Sequence, residues 1–311
     1  MPRTPSHVHR LAAGIALIAA ASFASAGCGR SRSREVSTPP AESTAVASPD
    51  SAQAGTVRAD TVAIRFARVP VRDAPTLLRL IDSLGVANWF EVLKLNRLDA
   101  AHVRDRDSLV VPLAFGDTLT FSPFPRRIAA VADTAKLLLV SLRLQAYAAY
   151  DSGRLVRWGP TSSGRHEMPT PTGLYHVNWK AKQRISSISD EWLLKWCINI
   201  HNSQGVSLHE YELPGRPASH SCVRLLEADA IWMYSWAEQW RLGPDPQHIL
   251  REGTPIVVWG EWAWDQRAPW KRVPEEPSVG TLRADELDEA LGMLTSGTRP
   301  VFASAQPDSV R

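Results

Sequence analysis

Apolar positions along the chain fall into distinct regimes. From Leu11 to Phe23 they form one run behind Arg3 and Arg10, ending in the small residues Ala24-Ser25-Ala26-Gly27. A basic start, a short apolar stretch and a small-residue cut site make an export signal, predicted over residues 1–27. The run is too short for a spanning helix, which needs about 20 apolar residues. Residues 28–60 lose all periodicity and are rich in Ser, Pro, Ala and Thr, as a tether is. Order returns over residues 61–113. Ala63-Ile64-Arg65-Phe66 alternates like a short strand. Ala74 to Leu84 carries Leu77, Leu78, Leu80 and Ile81 on its face, with Gly85 just past its end, and predicts a helix. Trp89 to Leu95 predicts a second helix and Ser108 to Pro112 a returning strand, giving the order βααβ. Residues 114–135 read as a linker.

From Lys136 the pattern becomes that of strands. Leu137 to Leu142 and Leu144 to Tyr147 are strand-like, and Tyr150-Asp151-Ser152-Gly153-Arg154 offers a hairpin turn. Pro169-Thr170-Pro171-Thr172-Gly173 is a rigid turn leading into the strand Leu174–Val177. Cys197–His201, Val206–His209 and Pro255–Trp259 add three more. One long helix is predicted, Ala228 to Trp240. Its Trp232, Trp236 and Trp240 recur every four residues and so share a face suited to packing on a sheet. The expected fold over residues 136–260 is therefore mainly β with a covering helix. The tail, 261–311, is rich in Trp and Pro and carries a short amphipathic helix near Leu282–Leu294.

Composition narrows the function. With 44% hydrophobic residues the 311-residue chain can build a sizeable core. The net charge of +3 without any Lys/Arg block does not imply nucleic acid. Three cysteines, at 28, 197 and 222, do not form a disulfide framework. Cys197, beside Trp196 in an apolar strand, reads as core. His201, His209, His220 and Cys222 match no common zinc spacing, and no metal or organic cofactor is expected.

Three resemblances add to this. Ala26-Gly27-Cys28 resembles a bacterial lipoprotein box, in which Cys28 becomes the lipidated first residue. Ser25 stands where that box usually has Leu, and a cut after Ala26 with simple secretion is the alternative. The resemblance implies a periplasmic protein held at the outer membrane by an N-terminal lipid alone. The βααβ order, with Leu93-Lys94-Leu95-Asn96-Arg97-Leu98 followed by Leu109-Val110-Val111-Pro112, resembles a degenerate LysM domain and implies contact with glycan chains. The most specific stretch is Leu208-His209-Glu210-Tyr211, a Pro/Gly loop, then Pro217-Ala218-Ser219-His220-Ser221-Cys222-Val223-Arg224-Leu225. With the upstream Ser162-Ser163-Gly164 and Thr170-Pro171-Thr172-Gly173, it resembles the signature of the L,D-transpeptidases, which have a YkuD-like β-sandwich.

That resemblance implies peptidoglycan stem peptides as substrate and Cys222 as nucleophile. It implies His209 as general base and acid, steered by the Glu210 carbonyl, and His220 as support for the site. The chemistry needs such a pair, because a free thiol of pKa about 8.5 is mostly protonated at neutral pH and only the thiolate attacks an amide. Backbone N–H groups near Ser221 and Cys222 are expected to hold the oxyanion. Ser219 and Arg224 are expected to bind substrate, Arg224 by a bidentate contact to a carboxylate or as a loop brace. Ser221 departs from the family, which has Gly there, a residue often chosen for positive φ. The acceptor stays open: an amine of a second stem, water (an L,D-carboxypeptidase) or a protein lysine. A catalytically inactive peptidoglycan-binding lipoprotein and a general cysteine peptidase are the rival readings.

Overall fold

The computed structural model of the protein describes residues 64–186 and 189–300. The expected signal, the tether and Cys28 lie outside the described residues. The chain divides at Ala59/Asp60, and everything described belongs to the second unit.

The described chain opens with the expected βααβ order. Strand β1 (Phe66–Pro70) pairs antiparallel with β2 (Ser108–Pro112), and α1 (Ala74–Asn96) lies between them in sequence. Asp73 caps α1 by accepting the Thr76 N–H at 2.7 Å. Gly85, at φ 71° and ψ 166°, breaks the helical path and divides α1 into the two predicted helices. Trp89, Val92 and Leu93 from the second half pack on Leu109 and Val111 of β2. The first strand, expected over 63–66, instead runs from Phe66. Alternation continues past residue 66, and pairing with β2, Phe66 opposite Pro112 through Pro70 opposite Ser108, selects the later segment.

The remainder is a nine-stranded, curled sheet. Its strands are β3 (Lys136–Ser141), β4 (Ala146–Asp151), β5 (Arg154–Ser162), β6 (Gly173–His176), β7 (Trp179–Ile185), β8 (Leu193–His201), β9 (Val206–Glu210) and β10 (Val223–Leu225). After α2 (Glu227–Trp236) and the short ribbon β11 (Arg241–Leu242) and β12 (Ile249–Arg251), β13 (Pro255–Trp259) completes it. The order across the sheet is β6-β13-β3-β4-β5-β10-β9-β8-β7. The fold is mainly β, as expected, with α2 on one face.

Both faces of the central strands are buried. Leu138, Val140, Ile256 and Val258 face the core beneath α2, with Ala230 and Met233 of the helix. Leu137, Leu139, Val257 and Trp259 face the opposite core, closed by Phe124, Ile128 and Ala290. That is why β3 and β13 read as continuous apolar runs rather than alternating ones. The second core is covered by the C-terminal segment. After the single turn α3 (Pro269–Arg272), α4 (Ala284–Ser296) packs on β13 and β6. Buried Glu286 of α4 pairs with Arg143, which also donates to the Val279 carbonyl at 2.9 Å.

The covering helix is shorter than predicted. It ends at Trp236, where Ala237 turns extended. Lys180 donates to the Tyr234 and Ala237 carbonyls at 2.7 and 2.6 Å, and Lys136 to that of Trp236 at 2.9 Å, so two cations close the helix C-terminus. The next residues pair with other backbone: Thr254 N–H donates to the Glu238 carbonyl and Trp240 N–H to that of Val177. Trp232 and Trp236 stack at 5.2 Å against the sheet as expected, whereas Trp240 leaves their row.

Candidate active site

Strands β9 and β10 run parallel, with Val223 opposite Leu208, Arg224 opposite His209 and Leu225 opposite Glu210. Side chains alternate along a strand. Leu208, Val223 and Leu225 therefore enter the core. Ser207, His209, Cys222 and Arg224 emerge together on the other side and line one cleft of about 250 Å³. Residues far apart in the loop 211–222 thus meet because the return strand lies beside the one that left. Ser219 and His220 line the same cleft.

Cys222 is a free, half-buried cysteine that lines the cleft. Its thiol faces the Gly205 carbonyl at 3.7 Å. Burial pushes the thiol up to about 11, against a hydrogen bond from the Ser207 backbone. His209 is only 4% exposed, and its Nδ1 lies 2.8 Å from the Glu210 carbonyl. A carbonyl only accepts, so Nδ1 carries the proton and Nε2 is left as the basic nitrogen. Burial drives this imidazole down to about 4, with the Arg224 charge acting in the same direction. At neutral pH the site at rest holds a thiol and a neutral imidazole rather than an ion pair.

The upstream motif holds the nucleophile loop in place. Gly164 pairs with Ser219, and the Ala218 and Ser219 N–H groups both donate to the Ser163 carbonyl. Thr170 Oγ1 accepts from the Gly164 N–H at 2.8 Å and donates to the Ser221 carbonyl at 2.9 Å. A Cβ on Gly164 would meet the Met168 carbonyl at 2.2 Å and Thr170 N at 2.5 Å, so only glycine fits. Ser221 sits at φ 75°, the region that favours glycine, and its hydroxyl donates to the Met168 carbonyl at 3.3 Å. The Ser219 hydroxyl donates to the Cys222 carbonyl and so braces the loop. His220 packs against Trp192 in a tilted arrangement, with ring centroids 4.7 Å apart. Arg224 lies over the Tyr211 ring at 4.5 Å and donates to the Glu212 carbonyl at 3.4 Å, which favours bracing.

Several cleft residues had no role assigned from the sequence: Trp179, Arg184, Trp192, Tyr211 and Glu212. Tyr211 and Glu212 stand inside the signature. Trp179 and Arg184 come from the edge strand β7, where Arg184 lies 4.7 Å over the Trp179 ring. Only the pairing of β7 with β8 brings them to the cleft. Cys197 is buried in β8, at a register shift between Lys195 and Ile198.

The fold and site define a cysteine–histidine cleft on a curled, mainly β scaffold. Residues 135–258 match the family model of the L,D-transpeptidase catalytic domain, YkuD. Among solved structures, the chain is similar to an L,D-transpeptidase from Mycobacterium smegmatis, at 19% identity over 40% of this chain and 59% of that one, with a TM-score of 0.33. One from Stackebrandtia nassauensis gives 21% identity over 42% and 57%, with a TM-score of 0.33. One from Mycobacterium tuberculosis H37Rv gives 24% over 40% and 58%, with a TM-score of 0.32. The chain spans less than two thirds of the length of these structures. No curated protein matches it. Among the described residues no helix is long and apolar enough to cross a membrane.

Proposed function

We propose that the protein is an L,D-transpeptidase acting on peptidoglycan stem peptides through a Cys222 thioester. The observation that carries this reading is the parallel β9–β10 register, which turns His209 and Cys222 into one cleft within the matched domain. The Cys222 proton passes to Nε2 of His209 as the sulfur attacks the carbonyl joining the third, diamino acid residue of a donor tetrapeptide to its terminal D-Ala. A resting pair that is neutral on both sides suits proton transfer coupled to attack rather than a stored thiolate. Backbone N–H groups at Ser221 and Cys222 receive the oxyanion. The C–N bond then breaks, the departing D-Ala amine takes the proton from His209, and the thioester remains. An acceptor amine with His209 again as base releases it as a 3→3 crosslink.

The expected export signal and Cys28 place this reaction outside the cytoplasm on a lipid tether, and the βααβ region at 61–113 serves as a glycan-contacting module. The test incubates the protein with disaccharide tetrapeptides and with a carbapenem and follows both by mass spectrometry. Loss of D-Ala, a crosslinked product and an adduct on Cys222 are expected, and Cys222→Ala should lose all three. Adduct formation that persists in Cys222→Ala would reject the assignment.

A further inference from the structure

The βααβ region makes specific bonds to the loop that follows the His209 strand. The Leu213 N–H donates to Asp99 Oδ2 at 2.7 Å, and the Asp99 N–H returns a bond to the Leu213 carbonyl at 3.1 Å. Leu98 bridges to Pro214, whose carbonyl also accepts from Arg106 Nη2 at 3.1 Å. Gly215, at φ 66°, lies so close that a Cβ there would meet Leu98 Cδ2 at 3.0 Å. Leu213 is fully buried.

This contact lies close to the candidate base. The segment from Glu210 to Leu213 is held at Tyr211, whose N–H donates to the Leu225 carbonyl at 3.2 Å, and at Leu213 by Asp99. The Glu210 carbonyl that fixes the His209 tautomer begins that segment. Asp99 is itself fixed by the His102 N–H, to Oδ1 at 2.9 Å, and by His102 Nδ1, which lies 2.8 Å from Oδ1 and 2.9 Å from Oδ2. A carboxylate accepting a backbone N–H in a half-buried setting makes one of the stronger hydrogen bonds available.

We propose that Asp99 is a positioning residue for the catalytic centre: through Leu213 the N-terminal module sets the path of residues 210–213 and so the orientation of His209. The kinetic half of this inference rests on His209 being the base; the structural half does not. The module is then a working part of the site, and not only a wall-contacting appendage.

The test compares the protein with its Asp99→Ala, Asp99→Asn and His102→Ala variants. Two readouts are taken: the ¹⁵N imidazole signals of His209, assigned by their loss in His209→Gln, and kcat and KM for D-Ala release. In Asp99→Ala the His209 signals should move from the Nδ1–H tautomer toward a tautomer mixture. There kcat should fall about tenfold or more, the size of one lost charge-assisted hydrogen bond, with KM changed less than about twofold. Asp99→Asn, which keeps one acceptor oxygen, should recover part of both. His102→Ala, which loses the ring contact but keeps the His102 backbone N–H and the Leu213 N–H on the carboxylate, should change both by less than Asp99→Ala does. A folded Asp99→Ala with unchanged His209 signals and unchanged kcat overturns the proposal. So does a His102→Ala effect equal to that of Asp99→Ala, since the turn cap would then be responsible. Should Asp99→Ala fail to fold, Asp99→Leu, which also offers the Leu213 N–H no acceptor, takes its place, and unchanged His209 signals with unchanged kcat there overturn the proposal equally. If the unmodified protein releases no D-Ala, the functional reading fails while the tautomer signals still decide this one.

Discussion

The resting state of the Cys222–His209 pair has a consequence that a simple alkylation experiment measures. With the thiol at about 11, the thiolate fraction at pH 7 is about one part in ten thousand; a free cysteine near 8.5 has about 3%. Reaction with a small neutral alkylating agent such as iodoacetamide needs the thiolate but no recognition. Its rate at Cys222 in the unliganded protein should therefore lie about 100-fold or more below that of a model thiol at pH 7, and should climb about tenfold per pH unit up to pH 10. The physical cause is desolvation in the cleft, opposed by the Ser207 backbone N–H and, more weakly, by the Arg224 charge. Peptide mass spectrometry separates Cys222 from Cys197, which is buried and whose thiol is also raised by burial. Arg224→Gln removes a nearby positive charge that favours the thiolate and should slow the reaction further at every pH below the plateau. A rate that is already flat between pH 6 and 8 would mean a preformed thiolate–imidazolium pair and would refute the reasoning.

Other expectations follow from the same geometry. His209 is held near pKa 4, below its unfolded value of about 6.5. The unfolded chain therefore takes up a proton first, and stability falls as pH drops from 6.5 toward 4, by up to about 3 kcal/mol from this one group. Urea unfolding at pH 7 and pH 4.5 should show a smaller difference for His209→Gln than for the unmodified protein. Gly164→Ala should cost about 1–3 kcal/mol or more and slow D-Ala release, because its Cβ would strike the Met168 carbonyl and Thr170 backbone; an unchanged urea midpoint would contradict this. Ser221→Gly, by contrast, should keep both fold and D-Ala release. It removes about 1–2 kcal/mol of left-handed strain while adding a similar unfolded-chain entropy cost, so the midpoint should barely move. Glu286→Ala should destabilise by about 3–5 kcal/mol, because Arg143 would lose its buried partner and α4 its anchor on the sheet.

Much of this protein was legible in its sequence because local patterns there agree with tertiary demands. The break at Gly85, the hairpin at Ser152–Gly153, both at positive φ, and the continuous apolar runs of β3 and β13 need only backbone sterics and burial to be read. The likeness at residues 208–225 named Cys222, His209, Ser219, His220, Ser221 and Arg224, and all but Ser221 line one cleft. Tertiary structure decided what depends on partners distant along the chain. The first strand took the segment that matches β2, and the covering helix stopped at Trp236 because Lys136 and Lys180 close its end. The C-terminal tail became a cover for the second core through Arg143 and Glu286. The thiol and imidazole were left neutral by burial, and Asp99 reached Leu213 across a gap in sequence that no local pattern spans. Periodicity records which face of an element is apolar; which surface that face meets, and what charge survives there, is set only when the chain closes on itself.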